Sequence, residues 1–188
     1  AIIISSCGVV SLHPLFTKET LAFRNDMLGE WIDKDSESSE WKFEKDDDKE
    51  SPGYLMTYSE EKALSDELET YQYDVHLVKL DKYYFLDFER VLSEEEESNY
   101  FSNIAPLLPA HSFAKIEFKD NEMRLYFFDA ENLEKLLEQQ KIRIKHERLK
   151  DDTFVLTASS EELQKFVVKY ANQAEAFEDA TVLKRKAS

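Results

Sequence analysis

Glycine is scarce in this chain of 188 residues: Gly8, Gly29 and Gly53 are the only three. A P-loop and a dinucleotide fingerprint both need clustered glycines so that the backbone can close on phosphate, and neither can be written here. Nucleotide enzymes of those classes are excluded. A single cysteine, Cys7, excludes an internal disulfide and any multi-cysteine metal site. No apolar run reaches the roughly 18 residues of a membrane-spanning helix. The G-x-S-x-G nucleophile elbow is missing as well. Positive charge is in short supply, with 24 Lys and Arg against 40 Asp and Glu and a net charge of −16. Nucleic acid and anionic membrane surfaces repel such a body, so neither is an expected partner. The shortage is lopsided: positions 1–100 hold 25 acidic and 10 basic residues, positions 101–188 hold 15 and 14.

Aromatic residues are plentiful, with thirteen Phe and nine Tyr, and a chain of this length can bury about two-thirds of its unfolded surface. From Leu28 onward, segments of period two follow one another: Gly29–Asp33, Glu40–Lys45, Gly53–Ser59, Leu68–Leu80, Tyr83–Glu89, Ser112–Lys119 and Glu122–Asp129. The joints between them, such as Leu80-Asp81-Lys82 and Lys119-Asp120-Asn121, are too short for crossover helices, so the strands run antiparallel. Alternation in Tyr71–Leu77 gives one buried and one wet face, with Asp74 and His76 on the wet side.

Two helices follow. Asp129 can cap one through about Gln140, burying Leu133, Leu136 and Leu137. Ser159 and Glu162 form a capping box ahead of an apolar stripe, Leu163, Phe166, Val167, Tyr170, Ala174 and Phe177. That stripe must be covered, most simply by the protein's own sheet. Lys141–Leu149 and Thr153–Ala158 read as a hairpin around Asp151-Asp152, and Val182-Leu183-Lys184 as a last strand. The expected fold is α+β: an antiparallel meander curled into a barrel or strongly bent sheet, with two C-terminal helices.

Ile4-Ser5-Ser6-Cys7 resembles the lipobox of bacterial lipoproteins, an aliphatic residue and two small residues ahead of a cysteine. That resemblance implies residues 1–6 as the remnant of a signal peptide and lipid on Cys7. It also implies a lipid-anchored tether over 7–26 and one domain over 27–188, on the inner or outer membrane and facing the periplasm. In the tether, Leu15 and Phe16 are expected to dock on the domain. Leu28-Gly29-Glu30-Trp31, followed by Trp41-Lys42-Phe43, resembles the opening of lipocalin-like barrels. In that family the tryptophan, here Trp31, plugs one barrel end and a ligand can occupy the other, which makes Trp31 a ligand-binding candidate beside His111.

No constellation fixes a reaction. Asp33 to Glu44 imitates calcium-loop spacing, but Ser38 stands where the loop needs glycine, so a solvated hairpin tip is expected. The runs Asp46-Asp47-Asp48 and Glu94–Glu97 read as exposed loops. Of the histidines, His76 is expected to be exposed. His111 lies where an apolar loop enters a strand, at the expected barrel mouth; it is read as hydrogen-bonded to backbone there, and is the candidate for ligand binding or hydrolase chemistry. A basic cluster of Lys141, Arg143, Lys145, Arg148 and Lys150, joined by Lys184, Arg185 and Lys186, is read as a solvated face or a patch for an anionic partner. No cofactor and no metal are implied. The expectation is a non-enzymatic binding or scaffold module of the cell envelope, with a membrane partner through Cys7 and a second envelope protein or small apolar ligand. The alternatives are a lipocalin-like carrier of an apolar molecule and a weak hydrolase using His111.

Overall fold

In the computed structural model, the described residues are 9–36, 38–47, 51–61, 68–92, 110–148 and 154–187. Cys7 and its lipobox, Glu94–Glu97, Lys150 and the Asp151-Asp152 turn lie outside them. Seven consecutive antiparallel strands form the meander: β3 (Gly29–Asp33), β4 (Ser39–Lys45), β5 (Tyr54–Glu61), β6 (Leu68–Leu80), β7 (Tyr83–Val91), β8 (His111–Lys119) and β9 (Glu122–Phe127). The last strand, β12 (Thr181–Arg185), is inserted between β9 and β3, pairing Leu183 with Met123 on one side and with Asp33 on the other. An eight-stranded antiparallel barrel is thereby closed, lipocalin-like as the opening motif implied. Closure leaves these strands no free edge along the ring.

Alternate side chains fill the interior. Trp41, Phe43, Tyr54, Met56, Leu77, Leu86 and Phe88 point inward and are fully buried against one another. Two joints of the meander, β6 to β7 and β8 to β9, are tight two-residue turns, and Asp81 and Asp120 adopt the left-handed conformation they require (φ 55° and 53°). Gly29 also has positive φ (114°), and a Cβ there would stand 2.9 Å from the Arg185 guanidinium. That guanidinium lies 4.4 Å over the Trp31 ring, while Trp31 Nε1 donates to the Met27 carbonyl (2.9 Å). The glycine–any–tryptophan opening thus permits the closure of one barrel end.

Two helices, α1 (Ala130–Glu138) and α2 (Ser160–Tyr170), begin at the expected caps. Asp129 accepts from the Asn132 N–H, and Ser159 and Glu162 form the reciprocal capping box. Leu163, Phe166, Val167 and Tyr170 pack with Val78, Leu80, Phe85 and Phe113 on the outside of the barrel, so the sheet itself covers the stripe. The expected continuation of α2 through Ala174 and Phe177 is corrected. The helix stops at Tyr170, Ala174 is exposed, and the chain turns so that Phe177 bridges Phe128 at 4.5 Å between rings. Burial of Phe177 preserves helical spacing without a helix. Of the expected hairpin after α1, β10 (His146–Arg148) and β11 (Phe154–Leu156) are strands, while Lys141–Lys145 belongs to no strand.

Val9 to Ala22 belongs to the fold rather than hanging from it. Two short strands, β1 (Val10–Ser11) and β2 (Leu21–Ala22), hold its ends. β1 takes over the edge of β8 where β9 stops, and also lies parallel to β11. β2 takes over the edge of β6 where β5 stops. The segment is therefore a strap across the outer face of β6, β7 and β8. Leu15 is fully buried beneath it, and Phe16 packs at its side.

Candidate functional site

Beneath the strap, the outward side chains of three neighbouring strands form a polar cluster: Asp74 and His76 on β6, Asp87 on β7 and His111 on β8. The sequence expectation that His76 is exposed is corrected. Phe16 stacks on its ring at 4.1 Å, and Gly53 leaves just enough space beside Nε2. His111 is corrected too. It stands on the outer face, not in a barrel mouth, and its partner is a carboxylate rather than backbone. Its Nδ1 lies 2.7 Å from Asp87 Oδ1, and the Leu15 backbone N–H donates to Asp87 Oδ2 at 2.5 Å. Burial opposes a charged imidazole at His111. The Asp87 carboxylate outweighs it, with Glu89 and Asp74 adding attraction, so the pKa of His111 is raised above the ordinary 6.5.

A histidine oriented by a carboxylate is half of a catalytic triad, but the missing half is a nucleophile. Among the described residues no hydroxyl or thiol bonds to His111. Ser112 lies on the inward face with Ala114 and Ile116, and Ser11 Oγ donates to the His13 carbonyl. This geometry clips the strap to the barrel. Trp31, the other sequence candidate, is buried and engaged on both sides by Met27 and Arg185.

The feature open to a ligand lies elsewhere. A groove of about 820 Å³ runs between α2 and the segment that follows α1. Its floor is apolar, with Ile142, Ile144, Phe166 and Tyr170, and its rim carries Arg143, Lys145, Lys165 and Lys169 against one carboxylate, Glu162. The size and the apolar floor with a few polar groups are those of small-molecule sites. Gln140 at one end is in the left-handed conformation (φ 56°), which turns the chain out of α1 so that the Lys141 N–H returns to the Leu136 carbonyl. Alternation from Lys141 to Lys145 then buries Ile142 and leaves the basic residues outside, as the sequence implied.

Lys145 pairs with Glu162 at 3.3 Å, and Arg148 pairs with Glu134 and Glu138. Arg143, Lys165 and Lys169 make no ion pair among the described residues. The expected junction with Lys184, Arg185 and Lys186 is corrected: these serve β12, with Lys184 near Glu122, Lys186 on Glu40 and Glu30, and Arg185 on Trp31. Lys165 and Lys169 were missed from sequence. Their signal was two lysines one turn apart on α2, each next to a stripe residue that faces the basic segment. No family model matches this chain, nor does any curated protein or solved structure, and the groove is read from its own chemistry.

Proposed function

We propose that this chain is a non-enzymatic binding module of the bacterial cell envelope, held to a membrane by lipid on Cys7, which takes its ligand on the outside of its barrel. One observation carries the reading: a concave, apolar-floored, cation-rimmed groove on a protein whose net charge is −16. The carrier alternative needs space inside the barrel, where Trp41, Phe43, Tyr54 and Phe88 already pack on one another. The hydrolase alternative needs a nucleophile beside His111. The anchorage rests on the resemblance of Ile4-Ser5-Ser6-Cys7 to a lipobox. Only Gly8 separates Cys7 from Val9, which is buried, so lipid on Cys7 would hold the domain directly against the bilayer.

The test is native mass spectrometry of the protein extracted from membranes of a producing bacterium. The expected result is a diacylglycerol-modified Cys7 at the start of the chain, and a non-covalent adduct lost in Ile144→Glu. Unmodified Cys7 preceded by residues 1–6 would refute the anchorage. An adduct retained in Ile144→Glu would refute the groove as its seat.

A further inference from the structure

We infer that the groove binds one long-chain carboxylate, a fatty-acid anion, with its acyl chain on the floor and its carboxylate between Lys165 and Lys169. The inference rests on the groove being the binding seat and adds the class of its occupant.

Charge complementarity is the first argument. The rim carries four cations to one carboxylate, in a protein with a large acidic excess, and Glu162 is already taken by Lys145. Lys165 and Lys169 stand four residues apart on one helix face, a separation of about 6 Å along the axis and an unfavourable spacing for like charges. A carboxylate between them relieves that repulsion and can accept from both ammonium groups. Arg143 stands on the opposite wall as a third cation without an ion pair among the described residues.

The floor supplies the second argument. Ile142, Phe166 and Tyr170 are buried and show the groove only a small part of their surface, while Leu137 and Ile144 are half-buried beside them and supply the rest of its apolar lining. A small polar anion such as phosphate would leave that surface wet. An uncharged hydrocarbon would bring no anion to the rim, where, among the described residues, Lys169 has only the Tyr170 ring at 5.1 Å and Lys165 only the attraction of Glu161 and Glu162. A chain with one charged end satisfies both parts.

Position supplies the third. His146, on the groove wall, is level with Leu156 and thence with Ser11 across the β10–β11–β1 sheet. Two strand spacings are about 10 Å, and four residues of chain from Ser11 back to Cys7 span at most about 14 Å. A lipid on Cys7 would therefore keep the groove within about 25 Å of the membrane into which fatty acids partition.

The experiment is calorimetric titration of the full chain with hexadecanoate, hexadecanol and phosphatidylglycerol vesicles. Saturable one-to-one binding of hexadecanoate is expected, with hexadecanol weaker by about tenfold or more, the equivalent of one charge-assisted contact. Lys165→Gln with Lys169→Gln should weaken hexadecanoate by about that factor and leave hexadecanol unchanged. Both lysines are exposed, so the variant is expected to melt with the parent. Equal affinity for acid and alcohol, an unchanged affinity in the double variant, or binding to vesicles alone would each overturn the inference. A native adduct that is not a carboxylate but is lost in Ile144→Glu would also overturn it, while leaving the binding-module reading intact.

Discussion

Replacing Asp87 with asparagine removes one charge from beneath the strap while keeping the size of the side chain. The native carboxylate is almost completely buried and has two partners, the Leu15 N–H at 2.5 Å and His111 Nδ1 at 2.7 Å. An amide offers one acceptor oxygen and turns a donor toward one of those two donors. The net loss should be that of one hydrogen bond to a buried charge, about 1.5–3 kcal/mol. For a protein of this size, each kcal/mol moves the melting temperature by about 2–4 °C, so the expected drop is about 3–12 °C. The pH dependence adds a sharper signature. Because the folded pKa of His111 is raised, its stabilising contribution is fully present below the ordinary value of 6.5 and is lost as pH rises through the folded value. The gap between parent and Asp87→Asn in thermal melts should therefore be widest in mild acid and narrow toward pH 8. In the variant burial, the largest single influence on His111, is opposed only by the weaker attraction of Glu89 and Asp74, so the stabilisation in mild acid should be lost. Equal gaps at all pH values, or coincident melts, would refute the clip.

Phe166→Ala should destabilise by about 3–5 kcal/mol, since the ring is buried against Phe128 and Tyr170; chemical denaturation measures it, and a loss below 1 kcal/mol would deny the stripe its place in the core. Gly29→Ala places a Cβ against Arg185 in a backbone conformation that side chains avoid, so a loss of at least about 1–2 kcal/mol is expected by the same assay. Trp31→Phe should destabilise more than Trp41→Phe, because Trp31 Nε1 donates to Met27 whereas the buried Trp41 Nε1 has no partner among the described residues. Denaturation midpoints in the reverse order would refute that assignment.

The strands were legible because alternation and short joints are local properties. β6 matches its expected span, Leu68–Leu80, and the helix caps and the β6–β7 joint stand where Ser159, Asp129 and Asp81 put them. The reading failed where distant chain supplies the environment. Asp74 and His76 alternate like solvent-facing residues, yet the strap covers them, and its cover comes from residues about sixty positions earlier. The stripe through Phe177 has helical spacing, but the helix stops at Tyr170 and Phe177 reaches Phe128 from the segment beyond it. Arg143 and Lys145 were visible as a basic run. Lys165 and Lys169 were not, because only the fold brings α2 against that run to make a groove.

The insertion of β12 between β9 and β3 has a kinetic consequence. Leu183 pairs with Asp33 across 150 residues of chain, so the ring cannot close until β12 has reached β3. Contacts this distant in sequence slow folding, because loop entropy is lost before the pairing rewards it. Until then β3 and β9 each present an open edge, the usual template for pairing with another chain. Protection of those two edges from pairing with another chain therefore depends on the docking of β12.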